Sequence, residues 1–569
     1  MECRAGPGRR FLMRFIRFLV TATVVGGLAA ACKDLVSVDN VNNPDRARVL
    51  KKPADVEALG GSQFQQIMLG TLGDIARPNT GMLTSAFENA SALANDGLGP
   101  RSAIPRGSIG NSRGNAYATD NFQTFNILSV AARNVSDVLN RAKAPGFALS
   151  SAADGQRLKA FAHFVHGVAL GYIAATYDSA GIPRPSDGAL ETPPLESYMA
   201  VNTYALGELD SALVYARMAG TSTLPVNWLT GPTGATVTAA TFVRVIRSYK
   251  AKFRAQVART PTERAAVDWA EVIADATNGL TADLVAGMNP SQGWDYNWLS
   301  ANLHFRDANW HQMPYQIFGM ADVSGAYDSW LATARDSRTP FLIQTPDLRF
   351  PQGATRTAQQ SNCPDPVNKP DCVLPRAGQY IRNRPPGEDQ AATGWRASYY
   401  DHYRWRAFAD AGRVGNFPFF TVAEVDMLAA EGYIRTGNIA AAATLIDKTR
   451  TVAGLPALSG VITTITDPVP GGASCVPRVP VGPNYTSTAC GDIFEAMKWE
   501  KRMETAYTTY GAWYLDARGW GDLPVGTPLS WPVPFQELDA RQIPIYDLGG
   551  NGGQAAAGPS TYGFGTGQQ

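Results

Sequence analysis

The sequence predicts a mostly α-helical fold, in which helical hairpins pack against a large irregular region. Apolar residues recur at spacings of three and four along 156–177, which places them on one face of a helix. Gly167 and Gly171 lie one turn apart in this helix, so a neighbouring helix can approach closely there. A turn at Gly437 joins two further helical patterns. Between 285 and 418, by contrast, Pro and Gly interrupt the chain and aromatic residues are dense.

Residues 1–31 have the pattern of a bacterial lipoprotein signal peptide. Five arginines and one glutamate are followed by an uncharged apolar run from Phe18 to Ala31, with small residues directly before Cys32. The run has about two-thirds of the roughly 20 residues that a membrane-spanning helix needs. We therefore expect cleavage before Cys32 and attachment of lipid to this cysteine. An ordinary cleaved signal, with the cysteine incidental, is the alternative.

The rest of the chain is predicted to contain a leader and one domain. Residues 32–52 are polar and rich in Asn and Asp, which indicates an extended leader. Residues 53–569 are predicted to form a single domain, with 285–418 as a loop-rich aromatic insertion. The helix pairs are similar to tetratricopeptide packing, although no fixed-period repeat is present. Helical patterns cover 55–72, 118–142, 156–177, 197–218, 241–259, 267–284, 422–435, 439–451 and 493–510.

Export makes disulfides the expected state of the four cysteines that follow Cys32. In an oxidising compartment an even number of locally paired cysteines favours disulfides. Each bridge would close a short loop and stabilise the fold by ~2–3 kcal/mol. A zinc site is the alternative, but it needs a close cluster of Cys or His, and the sequence contains none. The expected pairs are Cys363 with Cys372 and Cys475 with Cys490; no metal and no cofactor is predicted.

Charge argues against nucleic acid as the main partner. Removal of the signal takes five Arg and one Glu from the 50 basic and 49 acidic residues, which leaves a net charge of −3. Proteins that bind nucleic acid are usually strongly basic.

No local motif for catalysis is present. The sequence has no His-Glu-x-x-His, no Gly-x-Ser-x-Gly and no phosphate-binding loop. His163 and His166 are spaced to share a metal, but their apolar helix favours packed or interhelically bonded histidines. The paired carboxylates of a glycosidase need not be close in sequence, so a hydrolase stays an alternative.

Aromatic residues of the insertion are the candidates for ligand binding. A flat ring can cover the apolar face of a sugar while polar side chains bond its hydroxyl rim, and such sites are concave. The alternative is that these rings pack the core of the insertion or contact a partner. The candidates are Trp294, Tyr296, Trp298, Trp310, Tyr315, Trp395 and Tyr399.

Four stretches together resemble the SusD/RagB family of nutrient-uptake lipoproteins. They contain an Ala-Glu helix with a Gly-Asn turn, a Glu- and Arg-rich helix followed by Gly, aromatic, Asp and Arg, and a Pro-x-Pro…Glu-Leu ending. Asp447 stands where the family usually has Asn, and the spacing before Gly511 is slightly longer than expected. The stretches are Cys32–Leu35 with Asn43-Pro44, then 427–456, 500–518 and 531–539.

The resemblance implies a SusD-like fold and a non-catalytic, lipid-anchored protein that faces outward on the cell outer membrane. It implies a ligand, an oligosaccharide or less often a peptide, and delivery of that ligand to a TonB-dependent, SusC-like β-barrel channel. A surface glycan or peptide hydrolase and a structural tetratricopeptide scaffold are the alternatives. The charged motif residues are expected to be structural: Glu431, Arg450, Glu500, Arg502, Glu504, Asp516 and Arg518.

Overall fold

Helices form most of the regular structure in the computed structural model of the chain. Contacts divide the chain into two units, Met1–Lys52 and Pro53–Gln569, and almost all described residues belong to the second. The signal peptide and Cys32 lie outside the described residues, as do Trp298, Trp310, Cys363 and Cys372. The structure describes residues 49–73, 78–91, 97–188, 191–296, 312–361, 378–384 and 394–565.

The longest helices precede the insertion, and shorter helices lie within it and after it. The helices before the insertion are α1 (Pro53–Gly61), α2 (Gln63–Leu72), α3 (Pro78–Ser85), α4 (Leu98–Ser102), α5 (Ala118–Lys143), α6 (Ala152–Thr176), α7 (Tyr198–Met218), α8 (Ala239–Gln256), α9 (Pro261–Ala265) and α10 (Trp269–Thr277). Those that follow are α11 (Tyr315–Phe318), α12 (Ala326–Ala332), α13 (Arg356–Ser361), α14 (Arg406–Asp410), α15 (Val422–Arg435), α16 (Ile439–Arg450), α17 (Ile493–Thr505), α18 (Tyr514–Trp520) and α19 (Phe535–Ala540).

Short strands pair in twos, and each pair is antiparallel. Strands β4 (Leu284–Met288) and β7 (Gly415–Phe420) place Met288 opposite Gly415 and Leu284 opposite Phe420, so this pair holds the two ends of the insertion side by side. The pairs are β1 (Ser108–Ile109) with β10 (Leu548–Gly549), β2 (Ser179–Gly181) with β3 (Leu195–Ser197), β4 (Leu284–Met288) with β7 (Gly415–Phe420), β5 (Ile381–Asn383) with β6 (Tyr400–His402), and β8 (Arg478–Val481) with β9 (Ser487–Cys490).

Helix α6 is the core of the helical side. The side chain of Ser151 accepts a hydrogen bond from the N–H of Asp154 and so caps its first turn. The helix is long and apolar enough to cross a membrane, but 94% of its most apolar window is buried between neighbours such as α5 and α7. A helix that is apolar on all sides belongs in the core of a large domain, and α6 occupies that position.

Two glycines let neighbouring helices approach α6. A Cβ added at Gly167 would lie 2.7 Å from Cγ of Leu209 and 2.8 Å from the carbonyl oxygen of Ala205, both on α7. A Cβ added at Gly171 would overlap the ring of Phe253 on α8. The close approach that the sequence predicted at these two glycines is therefore present.

Helices α15 and α16 form the predicted hairpin. Helix α15 ends at Arg435, and Gly437 has φ of 83°, a conformation that an L side chain adopts only with strain. The side chain of Asn438 then accepts a hydrogen bond from the N–H of Ala441 and caps α16. The apolar faces of both helices are buried against α17, so each local signal agrees with the tertiary packing.

One predicted helix is divided into two. The pattern over 55–72 forms α1 and α2, which meet at Ser62. Gly60 and Gly61 directly precede this residue and lower the propensity for helix. The indole of Trp228 packs where a side chain at Gly61 would stand, so a tertiary contact uses the same weak point.

Two other predicted helices are too long. The pattern over 267–284 ends with α10, and its last residue instead begins strand β4. The pattern over 493–510 ends with α17, because Tyr507 takes the left-handed conformation with φ of 59°. The N–H of Tyr507 donates to the buried carboxyl of Glu88, 2.7 Å away. Both corrections come from long-range pairing, which a local pattern does not contain.

Replacement of Gly167 by Ala tests the helix contact. We expect Gly167→Ala to lower the free energy of unfolding by ~1–3 kcal/mol, because overpacking forces α6 and α7 apart. Gly155→Ala is the matched control, since an added Cβ there has nothing within 4 Å, and it should be neutral or stabilising by up to ~1 kcal/mol. Denaturant titration measures the free energy of unfolding of both variants. Equal changes in the two variants would show that α7 does not pack closely against Gly167.

Candidate functional site

A cleft of about 620 Å³ lies beside the C-terminal segment of the chain, and it is the candidate site. Its lining is partly aromatic and partly small, with a few polar groups, which is the usual composition of a small-molecule site. The lining residues include the aromatic Tyr485 and Trp520, the basic Arg259 and Arg518, the hydroxyl-bearing Thr260, Thr262, Ser560 and Thr561, and the small Ala555, Ala556 and Ala557.

One wall of the cleft is held by backbone hydrogen bonds. The N–H of Ala556 donates to the carbonyl oxygen of Thr527 over 2.8 Å, and the N–H of Gly526 donates to that of Ala556 over 2.9 Å. The N–H of Thr561 donates to the carbonyl oxygen of Gly521, again over 2.9 Å. The C-terminal segment therefore follows the chain after α18 in strand-like fashion, and its alanines face the cleft at fixed positions.

A disulfide-bonded hairpin supplies Tyr485. The strands β8 and β9 pair, and Cys475 and Cys490 at their base form a disulfide with Cα atoms 5.7 Å apart. This is the second of the two pairs expected from the sequence. Tyr485 lies in the turn, with φ of 52°, and its ring occupies the space that a side chain at Gly563 would need. The ring is half-buried, so one part contacts protein and another lines the cleft.

The two arginines of the cleft are buried and bonded to carbonyl oxygens. Nη2 of Arg259 donates to the carbonyls of Ala174 and Tyr177 over 3.0 and 2.7 Å. Nη1 and Nη2 of Arg518 donate to the carbonyls of Leu529 and Gln256 over 2.7 and 2.8 Å. The Nε atom of each has no hydrogen-bond partner among the described residues. Both positions are thus set by the backbone, and neither guanidinium is within ion-pair distance of a carboxylate in the described part of the chain.

Burial lowers the pKa of both arginines, Arg259 and Arg518. Desolvation, together with the charge of Arg518, lowers the pKa of Arg259 to about 9. Burial also lowers the pKa of Arg518 from its ordinary value. The negative charges of Asp178 and Glu263 act in the opposite direction, on Arg259 and Arg518 respectively, and both arginines remain protonated at neutral pH.

Most of the described ligand-binding candidates from the insertion are buried. Trp294 and Tyr296 are 2% and 0% exposed, and the ring of Tyr296 packs 4.6 Å from that of Phe417. Tyr315 is stacked on a neighbouring ring, and Trp395 is 4% exposed. Protein covers the faces of these four rings, so they pack the core, which is the alternative that the sequence left open.

Tyr399 differs from those four residues because it is half-buried. The guanidinium of Arg356 lies 4.1 Å from the centre of its ring and covers one face. Trp298 and Trp310 lie outside the described residues. These three residues stay predictions as ligand contacts.

Charged residues of the family-like motifs form buried ion pairs centred on α17. Glu500 accepts from Arg349 over 2.8 Å, and Glu504 accepts from the same guanidinium over 3.2 Å. Nζ of Lys501 lies 2.7 Å from Asp516. The remaining contacts are Glu431 with Arg264 and Arg435, Arg502 with Asp522, and Arg450 with the carbonyl of Pro456. These residues join helices to loops, as the sequence reading expected.

His163 and His166 do not belong to a group that could hold a metal ion among the described residues. Nδ1 of each contacts the same oxygen of Glu208 on α7, at 2.6 and 3.1 Å. The sequence favoured interhelical bonding for this pair, and the structure has that arrangement.

Comparison with known proteins identifies the fold. No family model matches the sequence, and no curated protein does. A SusD superfamily protein from Bacteroides vulgatus is 15% identical, with 83% of this chain and 89% of that chain covered and a TM-score of 0.52. This chain therefore has the mostly helical SusD-like fold, with tetratricopeptide-like helix pairs, that its motifs predicted.

Two further solved structures are similar at lower scores. A SusD superfamily protein from Bacteroides thetaiotaomicron is 12% identical over 88% of this chain and 95% of its own, with a TM-score of 0.48. One from Bacteroides fragilis is 13% identical over 87% and 100%, also with a TM-score of 0.48. The fold assignment rests on the B. vulgatus structure.

Sequence reasoning did not find the cleft. Arg518 was recognised in a motif, but Arg259, Tyr485 and Trp520 are separated by up to 261 positions along the chain. The one usable signal was the cysteine pair that brackets the hairpin of Tyr485, because it marks a loop held in a defined place.

Replacement of Glu431 by Gln tests the structural role of the motif acids. Burial raises the pKa of Glu431, but Arg264 at 2.9 Å outweighs it and holds the pKa below the ordinary value. We expect Glu431→Gln to lower the free energy of unfolding by ~3–5 kcal/mol, because it removes the carboxylate from a buried pair with Arg264 and from a part-buried pair with Arg435. Asp426→Asn on the same helix breaks a more exposed pair with Lys448 and should cost under ~1 kcal/mol. Denaturant titration measures both losses of unfolding free energy. Similar losses for Glu431→Gln and Asp426→Asn would contradict a structural role for Glu431.

Proposed function

We propose that this chain is a lipid-anchored outer-membrane protein that binds an oligosaccharide in the cleft and delivers it to a TonB-dependent β-barrel channel. The observation that carries the proposal is the SusD-like fold over 83% of the chain, together with a built cleft in its second unit. The lipoprotein signal before Cys32 supports a place on the membrane.

The chemistry of the cleft suits a sugar. A sugar ring has an apolar face of C–H groups, which the half-buried ring of Tyr485 can cover, and a rim of hydroxyls. The hydroxyls of Thr260 and Thr262 can exchange hydrogen bonds with that rim. The Oγ atom of Ser560 is buried without a protein partner among the described residues, so it is available to a ligand.

Of the two candidate functions, binding protein and hydrolase, the cleft better supports a binding protein without catalysis. A glycosidase needs two carboxyl groups about 5–10 Å apart across the substrate. The described residues that line this cleft include no Asp or Glu. A smaller cavity of about 200 Å³ has Glu191 and Glu537 in its wall, but Arg541 binds Glu537 at 2.7 Å. A hydrolase is therefore the weaker candidate.

The predicted anchor and the fold together support delivery of the ligand to a channel. The polar leader 32–52 would tether the folded unit to the membrane while leaving it room to move over a channel mouth. In this mechanism the channel supplies the energy, and this chain supplies affinity for the ligand. A purely structural helical scaffold would have no need of the aromatic cleft.

Tyrosine substitutions decide between the cleft and the insertion as the ligand site. Tyr485→Ala should weaken binding of the best oligosaccharide from a glycan screen by roughly threefold to tenfold, since a ring contact contributes ~0.5–1.5 kcal/mol. Tyr399→Ala is the matched control and should leave affinity unchanged. Titration calorimetry measures both affinities. Loss of binding in the Tyr399 variant alone would move the site to the insertion.

Co-purification tests the channel partner. Outer membranes that contain the tagged chain are dissolved in mild detergent, and a large β-barrel protein should be recovered with it in near-equal amount. Cys32→Ser is the control, because loss of the lipid anchor should leave the chain in the soluble fraction without the barrel. Abundant chain recovered from membranes with no barrel would overturn the delivery step.

A further inference from the structure

One end of the helical side receives the chain that follows the predicted lipid anchor. Nη2 of Arg157 in α6 lies 2.7 Å from the carboxylate of Glu57 in α1. Seven residues further along each segment, the ring of Phe64 in α2 stacks on that of Phe164, with centroids 5.7 Å apart. Helices α1 and α2 therefore run in the same direction as α6. The second unit begins at Pro53, so the chain enters it at the end where α6 begins.

Two loops complete this end of the molecule. Helix α7 is antiparallel to α6, because Nη1 of Arg157 donates to Oγ of Ser222 over 3.2 Å while Nζ of Lys159 lies 5.7 Å from the ring centre of Tyr215. The loop after α7 thus lies beside the start of α6, as does the loop that joins α5 to α6. We call this surface the anchor end; it comprises Pro53 and the loops 144–151 and 219–227.

The anchor end and the last turns of α7 expose several apolar side chains. Val214 and Met218, one turn apart in α7, are 53% and 56% exposed, and Val226 in the following loop is 41% exposed. Phe147 and Leu149 in the other loop are half-buried. Single exposed apolar residues are common on protein surfaces, but a group of them indicates an interaction surface.

Basic residues accompany these apolar side chains. Lys143 ends α5 and Arg217 lies in the last turn of α7, and both are exposed. In the part of the chain that the structure describes, neither lies within ion-pair distance of a carboxylate. The two loops of the anchor end contain no charged residue. Exposed cations beside apolar side chains suit the headgroup region of an anionic bilayer.

The acids near the anchor end are mostly compensated. Glu57 and Asp154 both pair with Arg157, at 2.7 and 2.8 Å. Asp55 in the first turn of α1 is exposed. Together with Lys143 and the other basic residues at the ends of α5 and α7, this leaves the anchor end with an excess of positive charge.

The opposite end of α6 has the reverse charge. Helix α6 has 25 residues, so its two ends lie about 37 Å apart. An anionic surface would attract the anchor end and repel the other, and this difference would orient the folded unit. The connection 177–197 from α6 to α7 contains four acids and one arginine: Asp178, Asp187, Glu191, Glu196 and Arg184.

We propose that the anchor end rests on anionic lipid headgroups of the membrane that holds the chain. This rests on the proposed function, in which lipid is attached at Cys32. Cys32 precedes Pro53 by 21 positions, and a chain of that length reaches at most about 70 Å. The tether joins the folded unit at the anchor end, so this surface is the one that it keeps near the bilayer.

The orientation has a consequence for the cleft. Arg259, in the lining of the cleft, donates to the carbonyl oxygens of Ala174 and Tyr177, at the far end of α6 from the anchor end. With the anchor end on the headgroups, the cleft is therefore held away from the bilayer. A ligand can then reach the cleft from solution without displacing lipid.

Amide hydrogen exchange on the mature lipidated protein tests this orientation. The protein is compared in nanodiscs of phosphatidylcholine and in nanodiscs of a two-to-one mixture of phosphatidylcholine and phosphatidylglycerol. We expect the amides of 144–151 and 219–227 to exchange at least about threefold more slowly on the mixture, because bound headgroups shield them. The connection 177–197 is the internal control and should exchange equally on both. The slowing should shrink at about 0.5 M salt.

Charge-matched double variants localise the effect. Lys143→Gln combined with Arg217→Gln should remove the slowing on the mixture. Arg113→Gln combined with Lys448→Gln changes the net charge equally, at side chains 69% and 53% exposed, and should keep it. Loss of the slowing in both double variants would show that net charge alone acts, and would overturn the anchor end as the contact surface.

A pair of methionines on α7 tests the apolar part of the contact. Met218→Ser should reduce the slowing to less than about twofold, because less apolar surface enters the headgroup region. Met199→Ser, at the other end of the same helix and 48% exposed, is the control and should leave it unchanged. Equal effects of the two substitutions would contradict a contact confined to the anchor end.

Three further outcomes would overturn the lipid contact. Equal exchange of both loops on the two compositions, or slowing of 177–197 instead, would do so and leave the cleft and the channel of the proposed function standing. Slowing that appears only when the β-barrel is reconstituted with the chain would assign the anchor end to the channel. Mass spectrometry of the purified chain checks the anchor itself: absence of lipid at Cys32 would overturn both the anchor of the proposed function and this orientation.

Discussion

The helix α17 carries six charged residues, and five of them are buried. A buried charge is costly unless it meets an opposite charge in good geometry, so each of the five needs a partner. The partners come from distant parts of the chain: Arg349 and Arg404 from the insertion, Asp516 from α18, and Asp522 from the segment after it. Helical hairpins, insertion and C-terminal segment must therefore assemble around this helix together, and the rest of the structure depends on that requirement.

The same requirement positions the cleft. Lys501 of α17 and Arg264 of α9 both bind Asp516, which fixes α18 and with it Trp520 at the cleft wall. Arg518, two residues later, donates instead to the carbonyl oxygens of Leu529 and Gln256. The ion pairs that stabilise the fold thus also position the residues of the cleft wall.

Local signals predicted much of the fold. The cap at Gly437, the N-cap at Asn438 and the close approach at Gly167 follow from chain geometry within a few residues, and all three are present. The ends of helices were less predictable. Helix α17 ends five residues before the predicted position because Tyr507 donates to Glu88, which is more than 400 positions away. The spacing of apolar residues along a helix cannot indicate a contact with a residue so distant in sequence.

By itself the sequence determined the helical class, the hairpin turns, the family-like motifs and the structural role of their charges, because propensity, capping and the cost of burying a charge act through neighbouring residues and residue type. Only the tertiary structure decided which aromatic rings are covered. Tyr315 and Tyr485 are alike as residues, yet one is stacked inside the insertion and the other lines a cleft. Exposure depends on which distant segments pack nearby, and this is also why Arg259, Tyr485 and Arg518 line one cleft although they are far apart in sequence.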